Sequence, residues 1–172
     1  DAAQALGHVA VDVRAMHIDL LAFPGHKGLL GPQGTGGLYI RPGLEHSLDT
    51  TREGGTGSLS EHDVQPESMP EKYEAGSHNT IGIVGLSEAV AFLLDRGIDS
   101  LRAHEVGLIE LMLGLLREGG CHMEDGEATD GPLAGLRLLG PADPARRVGV
   151  FSFVHESLTP SEIAVILEQQ FG

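Results

Sequence analysis

The chain is short of positive charge, of cysteine and of long apolar runs, and each shortage removes a class of function. Eleven basic residues stand against 25 acidic ones in 172, a net charge of −14, which leaves no broad electrostatic footprint for nucleic acid or anionic lipid. The lone Cys121 cannot form an internal disulfide, and no CxxC or paired-ligand spacing points to structural zinc. A reducing, cytoplasmic setting fits that usage. The longest uninterrupted apolar run, residues 89–94, falls far below the roughly 18 residues a membrane helix needs. The nine histidines contain no HExxH spacing and no G-x-S-x-G occurs, so neither a metal centre nor a serine hydrolase is expected.

What is abundant is glycine, 25 residues, concentrated between Gly25 and Gly57. Short apolar runs at residues 9–13 and 20–23 read as buried strands joined by a helical link at 13–17, and residues 36–40 read as a third strand. From 44 to 79 periodicity disappears and acids accumulate, the mark of a long functional or interface loop. Asn79 is a good N-cap for a helix over residues 81–96, apolar on nearly every face and therefore expected to be buried. Gly97 ends it as a left-handed cap. A second helix spans about 100–118, residues 121–135 are acidic and irregular, 136–139 read as a weak strand and 148–154 as a stronger one. Thr159-Pro160-Ser161-Glu162 is a capping box that opens a helix running to Phe171. The order suggests α/β followed by α+β.

Lysine occurs only twice, as Lys27 and Lys72. Lys72, between Glu71 and Glu74, reads as a solvated ion-pair partner. Lys27 lies in Phe23-Pro24-Gly25-His26-Lys27-Gly28, between an apolar run and a glycine-rich loop. It is either a lysine closing a strand end or an amine whose pKa desolvation lowers, making it available for Schiff-base chemistry. Gly31-Pro32-Gln33-Gly34-Thr35-Gly36-Gly37 fails the phosphate-loop tests, since no Lys-Ser/Thr follows and Tyr39 takes the place of the last glycine of GxGxxG. Gly54-Gly55-Thr56-Gly57-Ser58 is equipped for an anion nest and equally for a plain turn. Asp1 and Gln4 lie one turn apart ahead of an apolar segment, where an N-cap accounts for Asp1 and leaves Gln4 unexplained.

Taken together, Asp1-Ala2-Ala3-Gln4, then Asp19-Leu20-Leu21-Ala22-Phe23-Pro24-Gly25-His26-Lys27, then Gly31-Pro32-Gln33-Gly34-Thr35-Gly36-Gly37-Leu38-Tyr39 resemble the pyridoxal-phosphate class V aminotransferases, most of all the cysteine desulfurase and selenocysteine lyase branch. The likeness continues through Gly54-Gly55-Thr56-Gly57 and Glu74-Ala75-Gly76-Ser77 to the final helix, over essentially the whole chain. It implies part of the α/β large domain of a fold type I PLP-dependent transferase (residues 1–92) followed by a small α+β C-terminal domain (93–172). It further implies pyridoxal 5'-phosphate as cofactor, with Asp1 pairing the pyridine nitrogen so that the ring accepts electrons. Gln4 would meet the phenolic oxygen and His26 the phosphate. Lys27 would hold the cofactor as a Schiff base and act as the base that moves the α-proton. Ser77, where family members usually carry Thr, would reach the phosphate of the neighbouring subunit's cofactor, with Gly55 and Thr56 at that same interface of a homodimer.

Two departures qualify the likeness. Many relatives carry Ser or Thr where this chain has Pro24, which offers neither a side-chain hydroxyl nor a backbone donor to the phosphate. The nucleophilic cysteine loop and the carboxylate-clamping arginine of a desulfurase are expected beyond Gly172, and Cys121 is in the wrong place to substitute. The chain therefore reads as the middle and C-terminal part of an enzyme that takes sulfur from L-cysteine, giving alanine and a persulfide for a sulfur-acceptor protein. A transaminase, selenocysteine lyase or epimerase of the same fold, or a non-catalytic remnant, are the other readings. Alone, the piece is expected to bind cofactor weakly.

Overall fold

The computed structural model describes every residue except Thr56, Ser58, Ser60, Glu127 and Ala128. It resolves into two compact units, Asp1–Asp99 and Ser100–Gly172.

In the first unit, β1 (Leu20–Pro24) and β2 (Gly36–Ile40) form an antiparallel pair running from Leu20 opposite Ile40 to Pro24 opposite Gly36. Proline cannot donate to a ladder, and here it ends the strand. The next residue continues the pairing through Gly25 N–H to the Thr35 carbonyl at 2.7 Å. Residues 9–13 do not form the expected strand. Residues 10–12 run without regular structure, and Asp12 Oδ1 accepts from the backbone N–H groups of Arg14 and Ala15 at 2.8 and 3.0 Å, opening a turn over residues 13–17.

The described residues between 41 and 79 contain neither helix nor strand, as the loss of periodicity suggests. They are held by side chains. Buried Gln65 accepts from Gly54 N–H at 2.7 Å and donates to the Glu71 carbonyl at 2.9 Å. Tyr73 Oη donates to the Glu45 carbonyl at 2.8 Å. Lys72 departs from its expected solvated place: its side chain is 7% exposed, and Nζ donates to Glu67 Oε2 at 2.8 Å and the Glu45 carbonyl at 2.9 Å. The hydrogen bond to Glu67 raises the lysine pKa and lowers that of the glutamate. The sequence neighbours Glu71 and Glu74 are not its partners. Gln65→Leu is expected to cost about 1–3 kcal/mol, because it strips partners from two main-chain groups; denaturant unfolding of the purified protein measures it.

Helix α1 (Thr80–Arg96) starts where Asn79 Oδ1 accepts from Gly82 N–H at 3.0 Å and stops at Gly97, whose φ is 80°. The helix is as expected but its burial is not. Ile81 is 89% exposed and Leu94 70%, with Gly82 and Leu93 its buried residues, because within this chain only one stripe of an all-round apolar helix finds a packing surface.

The second unit is built on α2 (Ile98–Glu118), which begins two residues ahead of the expected start. Its Ile109, Leu113 and Leu116 recur at helical spacing and pack with Cys121, Met123, Leu138 and Ala142 into one core. An antiparallel hairpin of β3 (Leu136–Leu139) and β4 (Ser152–His155) covers that core, with Leu138 opposite Phe153. Arg102 and Glu105 on α2 tie down the loop between the strands: Arg102 donates to the carbonyls of Pro144 and Arg147 at 2.9 and 2.7 Å, and Glu105 accepts from Gly149 N–H at 2.8 Å. Leu113 is fully buried, so Leu113→Ala is expected to cost about 2–5 kcal/mol through lost transfer energy and a cavity, read by the same unfolding measurement.

The last helix, α3 (Pro160–Phe171), carries the capping box in full: Glu162 N–H donates to Thr159 Oγ1 at 3.3 Å and Thr159 N–H to Glu162 Oε2 at 2.8 Å. The backbone and hydroxyl donors of Thr159 lower the Glu162 pKa. A carboxylate depressed in the folded state adds stability above its unfolded pKa, and that contribution disappears as pH falls through the folded value. Thr159→Ala is therefore expected to cost about 1 kcal/mol near neutrality and less in acid, which melting curves across pH 3–7 (an approximate range set by the carboxylate pKa values) would measure.

Candidate functional site

The expected site residues gather at two places in the first unit. The first is a seam between the chain's opening segment and the loop after β1. Ala2 N–H donates to the Ala22 carbonyl at 2.9 Å, laying Asp1 and Ala2 alongside β1. Five residues on, Gly7 meets Gly28: a Cβ on Gly7 would overlap the Gly28 carbonyl, and one on Gly28 would overlap the Leu6 carbonyl and lie 2.6 Å from His8 Cδ2. Backbones approach this closely only where neither carries a side chain. Two contacts thus bracket Gln4 on one side and His26 and Lys27 on the other.

The loop itself is tight. Leu30 N–H donates to the Lys27 carbonyl and Gly31 N–H to the Gly25 carbonyl, both at 2.8 Å, while Gly25 is buried and His26 and Lys27 are exposed. The desolvation expected for Lys27 is therefore not supplied within this chain. The polar groups remain available: Gln4, His26 and Lys27 make no side-chain hydrogen bond or ion pair among the described residues, and Asp1 Oδ1 accepts from Ala3 N–H at 2.8 Å. No helix follows for Asp1 to cap, since residues 3–8 form turns, and this Asx bond leaves the other carboxylate oxygen uncommitted.

The second place joins the glycine cluster to Ser77. Gly76 N–H donates to the Gly54 carbonyl at 3.0 Å, and a Cβ on Gly55 would lie 2.9 Å from Gly76 Cα. Gly55 and exposed Ser77 are thereby held in adjoining loops, and buried Gln65 fixes Gly54 from behind. Thr56 and Ser58 lie outside the described residues. Sequence reasoning missed Gln65, whose only signal was an amide in an acidic loop.

Cys121 is buried in the core of the second unit, and that burial raises its thiol pKa, so it has the character of a packing residue rather than a nucleophile. Among the described residues no group of three or more His, Cys, Asp or Glu could hold a metal ion, and no helix is long and apolar enough to cross a membrane.

The first unit thus brings the segment that opens with Asp1 against the loop that follows Lys27 through Gly7 and Gly28. Residues 1–172 match the family model Aminotransferase class-V, and the chain belongs to that family. It is 35% identical over 174 residues to a probable cysteine desulfurase of Methanothermobacter thermautotrophicus, covering 100% of this chain and 40% of the relative. To a cysteine desulfurase of Dickeya dadantii it is 36% identical over 157 residues, covering 89% and 34%. Among solved structures, the apo cysteine desulfurase from Thermococcus onnurineus NA1 shares the fold with a TM-score of 0.75 at 32% identity, over 98% of this chain and 39% of that one. The chain thus spans about 40% of the length of such relatives.

Proposed function

We propose that this chain is part of a pyridoxal-phosphate-dependent cysteine desulfurase, which removes sulfur from L-cysteine to give alanine and an enzyme persulfide. The observation that supports the reading is the Gly7–Gly28 seam, which the Asp1–Gln4 segment leads into from one side and the His26–Lys27 pair from the other. The residues there fit the cofactor. An amide, an imidazole and an amine make no side-chain hydrogen bond among the described residues and the carboxylate spends one oxygen on Ala3 N–H, and they match in kind a phenolic oxygen, a phosphate, an aldehyde and a ring nitrogen.

When bound, pyridoxal phosphate supplies an electron sink for the α-carbon of an amino acid. Asp1 keeps the proton on the ring nitrogen by charge pairing, and Gln4 orients the ring by a hydrogen bond to its phenolic oxygen. His26 binds the phosphate. Lys27 would be the residue that holds the cofactor's aldehyde through Nζ and the base for the α-proton of the substrate. Ser77 and the Gly55–Thr56 loop serve the phosphate in the neighbouring subunit of a homodimer. Residues 1–92, with the interface loop and connecting helix, act as the cofactor-binding part and 93–172 as the small domain. The substrate is a small amino acid, the persulfide passes to an acceptor protein, and the setting is cytoplasmic.

The test is covalent. Purified full-length protein is loaded with pyridoxal phosphate and reduced with borohydride, and the modified peptide is mapped. Label on Lys27 is expected. Label on Lys72, or none, would remove the cofactor assignment. Release of alanine and sulfide from L-cysteine in the presence of a thiol then separates desulfuration from transamination, which releases a keto acid.

A further inference from the structure

We infer that Arg52 is a phosphate-binding residue of this protein, its guanidinium supplying, from the same cavity wall as the Ser77 hydroxyl, the positive charge that meets the phosphomonoester of the neighbouring subunit's cofactor. This rests on the functional reading above and adds a residue to the same site. Within the first unit a cavity of about 620 Å³ is lined by Arg52, Thr51, Ser77, Glu74, His78 and Asn79, among others. Most polar side chains around it are already engaged. Glu74 Oε2 lies 3.1 Å from His78 Nε2. Asn79 caps α1 through Oδ1 and reaches the Gly34 carbonyl at 3.3 Å through Nδ2. Thr50 Oγ1 donates to Glu53 at 2.7 Å, and Thr35 Oγ1 to the Pro32 carbonyl at 2.6 Å.

Arg52, Thr51 and Ser77 make no side-chain hydrogen bond or ion pair among the described residues. A guanidinium with two hydroxyls is a set of donors, suited to an oxyanion and poorly suited to a cation or an apolar group. The one carboxylate lining the cavity, Glu74, is turned to the His78 ring. Position supports the same role: Arg52 stands two residues before Gly54, whose carbonyl holds Gly76 N–H at 3.0 Å next to Ser77. Pro24 gives a reason for an added contact, since it brings neither hydroxyl nor backbone donor to the phosphate. Arginine is the cation whose fork matches phosphate oxygens.

The experiment compares pyridoxal phosphate with pyridoxal, which lacks the phosphate, by equilibrium titration of apo full-length protein. Arg52→Gln is expected to weaken pyridoxal phosphate binding about tenfold to a hundredfold, the range of a lost charge-assisted contact, while pyridoxal binding stays within twofold. Arg52→Lys should recover part of the loss. Phosphate-31 NMR of inorganic phosphate should show binding to the wild type that Arg52→Gln lacks. Unchanged pyridoxal phosphate affinity in Arg52→Gln overturns the inference and leaves the functional reading intact, provided the wild type labels at Lys27. Equal loss for both ligands makes the effect structural and overturns it. A raised KM for amino acid with unchanged cofactor affinity assigns Arg52 to the substrate carboxylate and overturns it as well. A wild type that binds neither ligand removes the functional reading and the inference together.

Discussion

Lys27→Ala is expected to abolish borohydride-fixed labelling and to lower turnover at least about 10³-fold, within the span that a positioned acid–base group contributes. The size of the effect follows from the scarcity of substitutes. The chain has one other lysine, and Lys72 is committed: its side chain is 7% exposed, and its Nζ is shared between Glu67 and the Glu45 carbonyl. Its raised pKa keeps it an ammonium, which is not a nucleophile. Lys27→Arg keeps the charge and loses the chemistry, because a guanidinium stays protonated, so it should be as inactive as the alanine variant. Lys72→Met serves as the contrast. It should lower the melting temperature by removing the partner of Glu67 while leaving the label on Lys27. Labelling that moves to another residue in Lys27→Ala, or activity within tenfold of wild type, would exclude Lys27 from the chemistry.

What the sequence makes visible here is whatever repeats with a period or sits at a fixed offset. The apolar recurrence at Ile109, Leu113 and Leu116 marks α2, and Thr159-Pro160-Ser161-Glu162 marks the start of α3 down to the capping bonds. Asn79 announces α1 in the same way. Partners distant in sequence stay hidden. The neighbours of Lys72 in the chain suggest Glu71 and Glu74, whereas its bonds go to residues five and 27 positions away. The strand read into residues 9–13 is absent: the run finds no partner strand among the described residues, and the Asp12 carboxylate opens a turn at its end. Burial of α1 is overestimated for a different reason: composition states how apolar a helix is, not how many of its faces are covered within 172 residues. The candidate site lies between these cases. Its residue types were legible as motifs, but the contact that unites them is made by two glycines, which leave no trace in any hydrophobic pattern.

That contact yields the second large effect. Gly28→Ala is expected to weaken cofactor binding by about 10²-fold, because a methyl group at that position overlaps the Leu6 carbonyl and must push residues 5–8 off the loop at 25–31. Displacement of about 1 Å between groups that act together costs on that order. The residues it separates are Asp1 and Gln4 from His26 and Lys27, so retention of cofactor is the sensitive measurement. Gly7→Ala attacks the same seam from the other side with added backbone strain, since Gly7 has φ 88° and its methyl would overlap the Gly28 carbonyl. Gly43→Ala separates strain from geometry. Gly43 also has positive φ, 96°, but has open space around its Cβ position, so that variant should lose about 1–2 kcal/mol of stability and keep its cofactor. If Gly28→Ala holds pyridoxal phosphate as tightly as Gly43→Ala does, the seam is only a packing contact, and the Asp1–Gln4 segment has no part in positioning what Lys27 binds.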